Sequence, residues 1–473
     1  MAVKNPFGFT TGPVTFWLIV VYAAFLIPSK NPYPDLNLTE AWHDLTHITR
    51  KYHPYNSRAN DEVGAYLLKR IEEILVRNKV EYTKEKNAGG VIWPQDIQDV
   101  SRRASTGPAV TIFDDTISNT TYLGTSGSFS QAGPYATYFE GTNKLVYIRG
   151  TQDEDGEWWN DKRDARKIGE GGVLVNAHYD SVSTGYGATD DGMGCMLNYY
   201  TSPGQQPTRG IVLLLNNGEE DGLYGARVYH YSPLYHFTTS FVNLEGAGAG
   251  GRAILFRTTD LEVTKGYENA PHPFGSVVAA DGFKLGAIRS ETDYKVWTES
   301  YGQRGLDIAF YRPRARYHTN QDDTRHASQD SLWHLLSNSL AAVDNLQRTT
   351  GYFSGKRNDG DKKKVASGSG TDGVWFDMFG KGFAILELRG LFAWTLTLLI
   401  VSPLILALVT YILSRKDKYY FFSRKVKAED DDEAVSLGAG RAFSGSPGFD
   451  LFGLNHGSLC PFGSKGQSSH HLQ

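Results

Sequence analysis

His178 and Asp180, Asp190, Glu219 and Glu220, Glu245 and finally His318 place imidazole and carboxylate groups in five short segments spread over some 140 residues. The segments read His-Tyr-Asp (178–180), Thr-Asp-Asp-Gly (189–192), Asn-Gly-Glu-Glu-Asp (217–221), Asn-Leu-Glu-Gly (243–246) and Tyr-His-Thr (317–319). Zinc is bound by His nitrogen and Asp or Glu oxygen, and a hydrolytic site keeps a position open for water. Five candidate ligands plus a spare carboxylate are what two zinc ions with a general base require. Taken singly, each segment is ordinary: a lone His-x-Asp is usually a hydrogen-bonded pair, Glu-Glu-Asp a solvated turn, and Asp-Asp-Gly a turn or helix start. Their joint occurrence carries the weight.

The segments need elements that bring them together. Apolar runs at 172–177, 210–215 and 239–244 lead directly into His178, Glu219–Glu220 and Glu245. Near-continuous apolar runs are the mark of strands buried on both faces, as in a largely parallel sheet covered by helices. In such sheets ligands collect beyond the carboxyl ends of the strands. The expected fold class is therefore α/β, a central mixed and mostly parallel sheet flanked by helices.

In this order, the segments resemble the co-catalytic di-zinc aminopeptidase family. Gly-Ala-Thr-Asp-Asp-Gly-Met-Gly (187–194), Asn-Asn-Gly-Glu-Glu-Asp (216–221) and Gly-Leu-Asp-Ile-Ala-Phe-Tyr (305–311) are similar to its fungal, vacuolar-membrane branch, the likeness running from about Leu36 to about Leu437. The resemblance implies a zinc aminopeptidase-like fold and a role for each group. His178, Asp190, Glu220, Glu245 and His318 would ligate two Zn2+ ions per chain, with Asp190 bridging. Asp180 would orient the His178 imidazole. Glu219 would be the general base, and Tyr317 would donate its hydroxyl to the tetrahedral oxyanion. Many family members have Asp where Glu245 stands.

The implied substrate is a peptide with a free amino terminus. A single-zinc aminoacyl cyclase or transferase on the same fold is one rival, opposed by the presence of both His178 and Glu245. A non-catalytic binding domain is another, opposed by the retention of Glu219 and every ligand. Nothing marks a side-chain pocket or an oligomeric state. His43 and His47 have helical i, i+4 spacing but lack the glutamate of the zincin pattern, so they are expected on a helix surface.

The 473 residues carry a net charge of −4, which gives no basic excess for nucleic acid. The two cysteines, Cys195 and Cys460, make no disulfide framework. Residues 391–413 are an uncharged run long enough to span a bilayer, and residues 13–28 are a second span, a signal anchor or a cleaved signal peptide. Arg415, Lys416, Lys418, Arg424, Lys425 and Lys427 follow the 391–413 span, which places that side in the cytosol and the catalytic region in the lumen. Sequons at Asn37 and Asn119 fall in the same lumenal stretch. With the resemblance, this predicts a multi-pass vacuolar membrane protein with its catalytic domain in the lumen.

The expected organisation is a short cytosolic N-terminus (1–12), a span (13–28), a lumenal di-zinc peptidase domain (36–353), a lumenal linker (354–390), a span (391–413) and a cytosolic tail (414–473). Periodicity predicts helices over 60–77 and 331–347, and the charged stretch 153–170 reads as a surface loop. The Gly/Ser-rich tail is expected to be disordered. Family members carry further spans there, so the tail is read as a natural short form or as a truncated or frame-shifted one.

Overall fold

The structure, a computed structural model, describes residues 36–86, 109–114, 120–124, 135–160, 171–188, 193–248, 250–349, 372–415, 424–428 and 431–437, with Ile19, Val20 and Tyr33. The chain divides into two compact units, residues 30–391 and residues 1–29 with 392–473.

An eight-stranded sheet organises the larger unit. Its strands are β1 (Tyr82–Lys86), β2 (Val110–Asp114), β5 (Lys144–Ile148), β6 (Gly172–His178), β7 (Ile211–Asn216), β8 (Thr238–Gly246), β9 (Ala253–Thr258) and β10 (Arg304–Phe310), in the spatial order β1-β2-β5-β7-β6-β8-β10-β9. The strands β3 (Thr120–Gly124) and β4 (Tyr135–Phe139) pair separately. The central strands β7, β6, β8 and β10 run parallel, while β5, β2 and β9 enter antiparallel contacts. The sheet is mixed and parallel at its centre, where the candidate ligands lie.

Side-chain alternation sorts each central strand onto two faces. Val173, Val175 and Ala177 join Ile211, Leu213, Leu215, Val242, Leu244, Leu306 and Ile308 in one buried cluster. It is covered by helices α1 (Leu38–Ile48), α2 (Arg58–Arg77), α3 (Met193–Thr201) and α4 (Gln329–Arg348). Leu174, Val212, Leu214 and Phe241 face the other way, into an aromatic cluster with Trp158, Trp159, Tyr229, Phe237 and Trp297. Farther along this second face come amides, and at the strand ends the ligands.

Those polar residues form a row across four strands. Asn176 lies opposite Asn243, Asn243 opposite Asp307, and Asp307 opposite Arg257. Asn176 donates to Asn243 Oδ1 (2.5 Å), Asn243 to Asp307 Oδ1 (3.1 Å), and Arg257 Nε to Asp307 Oδ2 (2.8 Å). Buried polar groups are tolerated when paired in this way.

The long helices start where side chains take up free amide N–H groups. Asn37 accepts from Glu40 N, Ser57 from Asn60 N and Ser328 from Ser331 N. Helix α4 ends on Arg209, a buried guanidinium that donates to the carbonyls of Gln347 (3.2 Å) and Leu346. His43 is exposed on α1 and His47 stacks on Tyr66 at 4.0 Å, so both serve the helix surface.

His334 on α4 is buried, and its Nδ1 accepts from Ala253 N at 3.3 Å. Burial, with the charges of His272 and Arg252, lowers its pKa to about 4. Because the unfolded chain protonates near the ordinary value of about 6.5, it binds more protons than the native state between about 6.5 and 4, and stability is lost as pH falls through that window. The span predicts a loss of about 3 kcal/mol. Denaturant melts of His334→Gln from pH 7 to pH 4 should show lower stability at pH 7 but a flatter slope, and an unchanged slope would remove His334 as the source.

Two segments differ from the sequence expectation. Within the expected linker, β11 (Gly373–Met378) and β12 (Gly382–Glu387) form a hairpin whose Trp375 and Phe383 are buried in the main core, so the folded unit extends well past residue 353. In the expected surface loop, Trp158 and Trp159 are buried, and Asp153 accepts from Tyr147 (2.6 Å), Gly150 N (2.8 Å) and Gly210 N (3.0 Å).

Helix α5 (Leu388–Arg415) contains 22 residues, Leu388–Val409, long and apolar enough to cross a membrane, and among the described residues it is alone in this. The expected span at 13–28 lies outside the described residues except for Ile19 and Val20, which are helical. In the expected tail, β13 (Arg424–Ala428) and β14 (Asp431–Leu437) form a hairpin, and the rest lies outside the described residues.

Candidate metal centre

Three strand ends build most of the site. His178 is the last residue of β6, and Glu245 is the second-last of β8 on the same face. Beyond β7, Gly218 adopts φ +74°, a conformation that costs glycine little, and the chain turns sharply to present Glu219 and Glu220. Asn217 secures this turn, donating to Asn60 Oδ1 (2.7 Å) and Thr142 Oγ1 (2.6 Å) while its own N–H donates to Asn143 Oδ1 (3.1 Å).

His178 Nε2 lies 4.0 Å from Glu219 Oε2 and 3.7 Å from Glu245 Oε2. Donor atoms of His178, Glu219 and Glu220 fall within 4.8 Å of one another. On the other side, His318 Nε2 lies 3.1 Å from Glu220 Oε1. Glu220 thus links a His178 half to a His318 half. Asp190, expected to bridge, lies outside the described residues, as does Asn119, whereas Asn37 is exposed at the start of α1.

Asp180 is buried and does more than sit beside the imidazole. Its backbone carbonyl is 2.9 Å from His178 Nδ1, while its carboxylate is 3.6 Å away. The two carboxylate oxygens accept the N–H groups of Glu219 and Glu220, each at 3.2 Å. Its main chain therefore fixes His178 and its side chain fixes the glutamate turn.

The electrostatics call for a cation. Burial, then repulsion from Glu245 with contributions from Asp293 and Glu220, pushes Glu219 far above the usual carboxylate range, and His178 only partly offsets this. Among the described residues the ion-pair partners of Glu219, Glu220 and Glu245 are all imidazoles. The shielded Nε2 of His318 lies against Glu220 Oε1 without an aligned hydrogen bond. Clustered carboxylates and imidazoles without Lys or Arg suit zinc.

Residues 162–343 match the model of peptidase family M28. The chain carries an M28 peptidase domain. It is 86% identical over 470 residues to the vacuolar membrane protease of Colletotrichum graminicola, covering 94% of this chain and 46% of that one. To the vacuolar membrane protease of Verticillium alfalfae it is 59% identical over 471 residues, again 94% and 46% of the two chains. The chain thus spans about half the length of these curated relatives. Among solved structures, the LapA aminopeptidase of Legionella pneumophila matches 67% of this chain and 72% of its own at 14% identity and a TM-score of 0.43.

Next to its candidate ligands, the M28 domain buries one acid that sequence reasoning passed over. Asp293 is fully buried, and its Oδ2 accepts from Asn176 (2.9 Å) and Asn216. Burial and the Glu245 charge push it up to about 7. It stands in the polar stretch Ser-Glu-Thr-Asp-Tyr-Lys, which shows no periodicity to mark it. Asn176, Asn216 and Asn243 stand out as amides inside apolar runs, a signal that could have found this layer.

Tyr317 stacks on His318 with ring centroids 3.6 Å apart and planes at 22°, and the Arg314 guanidinium is 4.1 Å from its ring. Tyr317→Phe keeps the stacking and removes only the hydroxyl. If the phenol steadies the oxyanion, kcat should fall by roughly 10² to 10³ with little change in KM. Unchanged turnover with zinc fully bound assigns Tyr317 to packing.

Proposed function

We propose that this chain is a membrane-anchored zinc metallopeptidase that hydrolyses peptide bonds, acting as an aminopeptidase in the vacuolar lumen. The observation that carries the reading is the convergence of His178, Glu219, Glu245, Glu220 and His318 in one acidic cluster, buried at His178, Glu219 and Glu245 and without a Lys or Arg counterion among the described residues. His178 and Glu245 would hold one zinc, Glu220 and His318 the other, with Asp190 shared.

Bound there, zinc would supply Lewis acidity, acidifying water toward neutrality and polarising the scissile carbonyl. Glu219, whose backbone N–H donates to Asp180, would take a proton from the attacking water as the water oxygen adds to the carbonyl carbon. The same carboxyl then returns the proton to the amine as the C–N bond breaks. Tyr317 donates its hydroxyl to the carbonyl oxygen while charge accumulates there.

Elemental analysis of the purified chain, alongside hydrolysis of aminoacyl substrates and of the same peptides blocked at the amino terminus, tests the reading. About two zinc ions per chain with activity confined to free amino termini is expected. One zinc, or cyclisation in place of hydrolysis, points to the cyclase rival, and cleavage of blocked peptides to an endopeptidase.

The relatives' names and the 388–409 helix support the membrane assignment, and the basic residues after it support a lumenal catalytic unit. Endoglycosidase should therefore shift the expressed protein's mobility, and Asn37→Gln with Asn119→Gln should abolish the shift. Digestion of the catalytic unit by protease added to intact vesicles would show the opposite orientation.

A further inference from the structure

Asp322 and Asp323 follow His318 on one loop and are both buried, yet they behave differently. Asp323 is fully engaged by its own loop: it accepts from Arg325 N (3.0 Å), His326 N (3.1 Å), His326 Nδ1 (2.7 Å) and Arg325 Nε (2.8 Å). Asp322 turns across the site. Its carboxylate takes the backbone N–H of Ala188, and its neighbouring charges include His318 and Glu220. Its Oδ1 is buried with no hydrogen-bond partner.

Ala188 stands two residues before Asp190. A second strap runs in parallel, with Thr184 Oγ1 donating to the His318 carbonyl at 2.9 Å. Close packing keeps these segments together, since a Cβ at Gly185 would come within 3.3 Å of Thr319 O and 3.5 Å of His318 C. His318 itself has φ +58°, a conformation that persists in a non-glycine residue only when its surroundings hold it.

We propose that Asp322 is a positioning residue that binds the chain entering the Asp190 segment to the His318 loop, and so sets the metal position on the Glu220 and His318 side. The assignment rests on the two-zinc reading above. A carboxylate nearly removed from water with one oxygen unpaired is costly unless opposite charge lies near. A divalent cation between Glu220 and His318 supplies that charge, so Asp322 strengthens this position by placement and by field.

Cobalt(II) titration of the metal-stripped full chain, read by visible absorption, tests this without reference to turnover. The wild type should take up two equivalents. Asp322→Ala should bind the first normally and the second about 10- to 100-fold more weakly, the range for losing a group that orients metal ligands. Asp322→Asn keeps an oxygen for the Ala188 N–H but not the charge, and should lie between Asp322→Ala and wild type. Asp323→Asn, whose partners are all on its own loop, should leave both equivalents intact. If Asp322→Ala does not fold, a weakened second equivalent in Asp322→Asn against a normal one in Asp323→Asn decides the point. Wild-type binding in both Asp322 variants, or equal weakening in Asp323→Asn, would overturn the proposal. A wild type that takes up fewer than two equivalents would instead overturn the two-zinc reading beneath it.

Discussion

Glu219→Gln should leave the chain with its zinc and almost without activity. The substitution keeps size and shape and removes the proton acceptor, a loss of roughly 10² to 10⁴ in turnover for a general base. The geometry motivates this split between adjacent glutamates. Glu220 pairs with His318 at 3.1 Å, while Glu219 stays 4.0 Å from His178 in a pocket that disfavours its charge. Glu220→Gln should instead release zinc. Equal zinc loss in the two variants would exchange their roles.

Asp180→Ala should be the more destructive substitution, because it strikes both glutamates at once. Its carboxylate holds the N–H groups of Glu219 and Glu220 at 3.2 Å, and no water can replace it easily where only 1% of the residue is exposed. Leaving two buried donors unpaired costs about 1–3 kcal/mol each. A drop of that size in thermal stability, zinc affinity lowered about 10- to 100-fold and turnover reduced further are expected together. Calorimetry with chelator competition measures the first two. Zinc affinity unaltered in a folded Asp180→Ala chain would mean that the turn holds itself.

The strand ends are legible in the sequence because chemistry and hydrophobicity coincide there: each of β6, β7 and β8 is an apolar run ending in a motif. The helices Arg58–Arg77 and Gln329–Arg348 are legible for the same reason, as one-sided periodic patterns. The hairpin 373–387 is not. Its Lys-, Asp- and Gly-rich approach reads as a linker, and Trp375 and Phe383 show their value only against a core built from distant residues.

The site is legible in part. Asp180 stands out beside His178, but its bonds to Glu219 and Glu220 depend on how the β6 and β7 ends meet. Asp293 and Asp322 lie in polar stretches, and what distinguishes them is burial beside charges far away in sequence.

The row Asn176, Asn243, Asp307 and Arg257 answers a problem that apolar strands pose. Sliding β6 past β8 by one residue would turn every side chain to the wrong face, but sliding by two restores the faces, and aliphatic residues discriminate poorly between the two alignments. The amides do discriminate, since a displaced one is left facing hydrocarbon without a partner, at about 1–3 kcal/mol each. His178 and Glu245 stand two residues beyond Asn176 and Asn243, which are themselves paired. The row therefore works as a set of index pins: strands that lock there bring their catalytic ends level, and a two-residue error would leave the ligands out of step by nearly 7 Å, roughly twice the rise per residue.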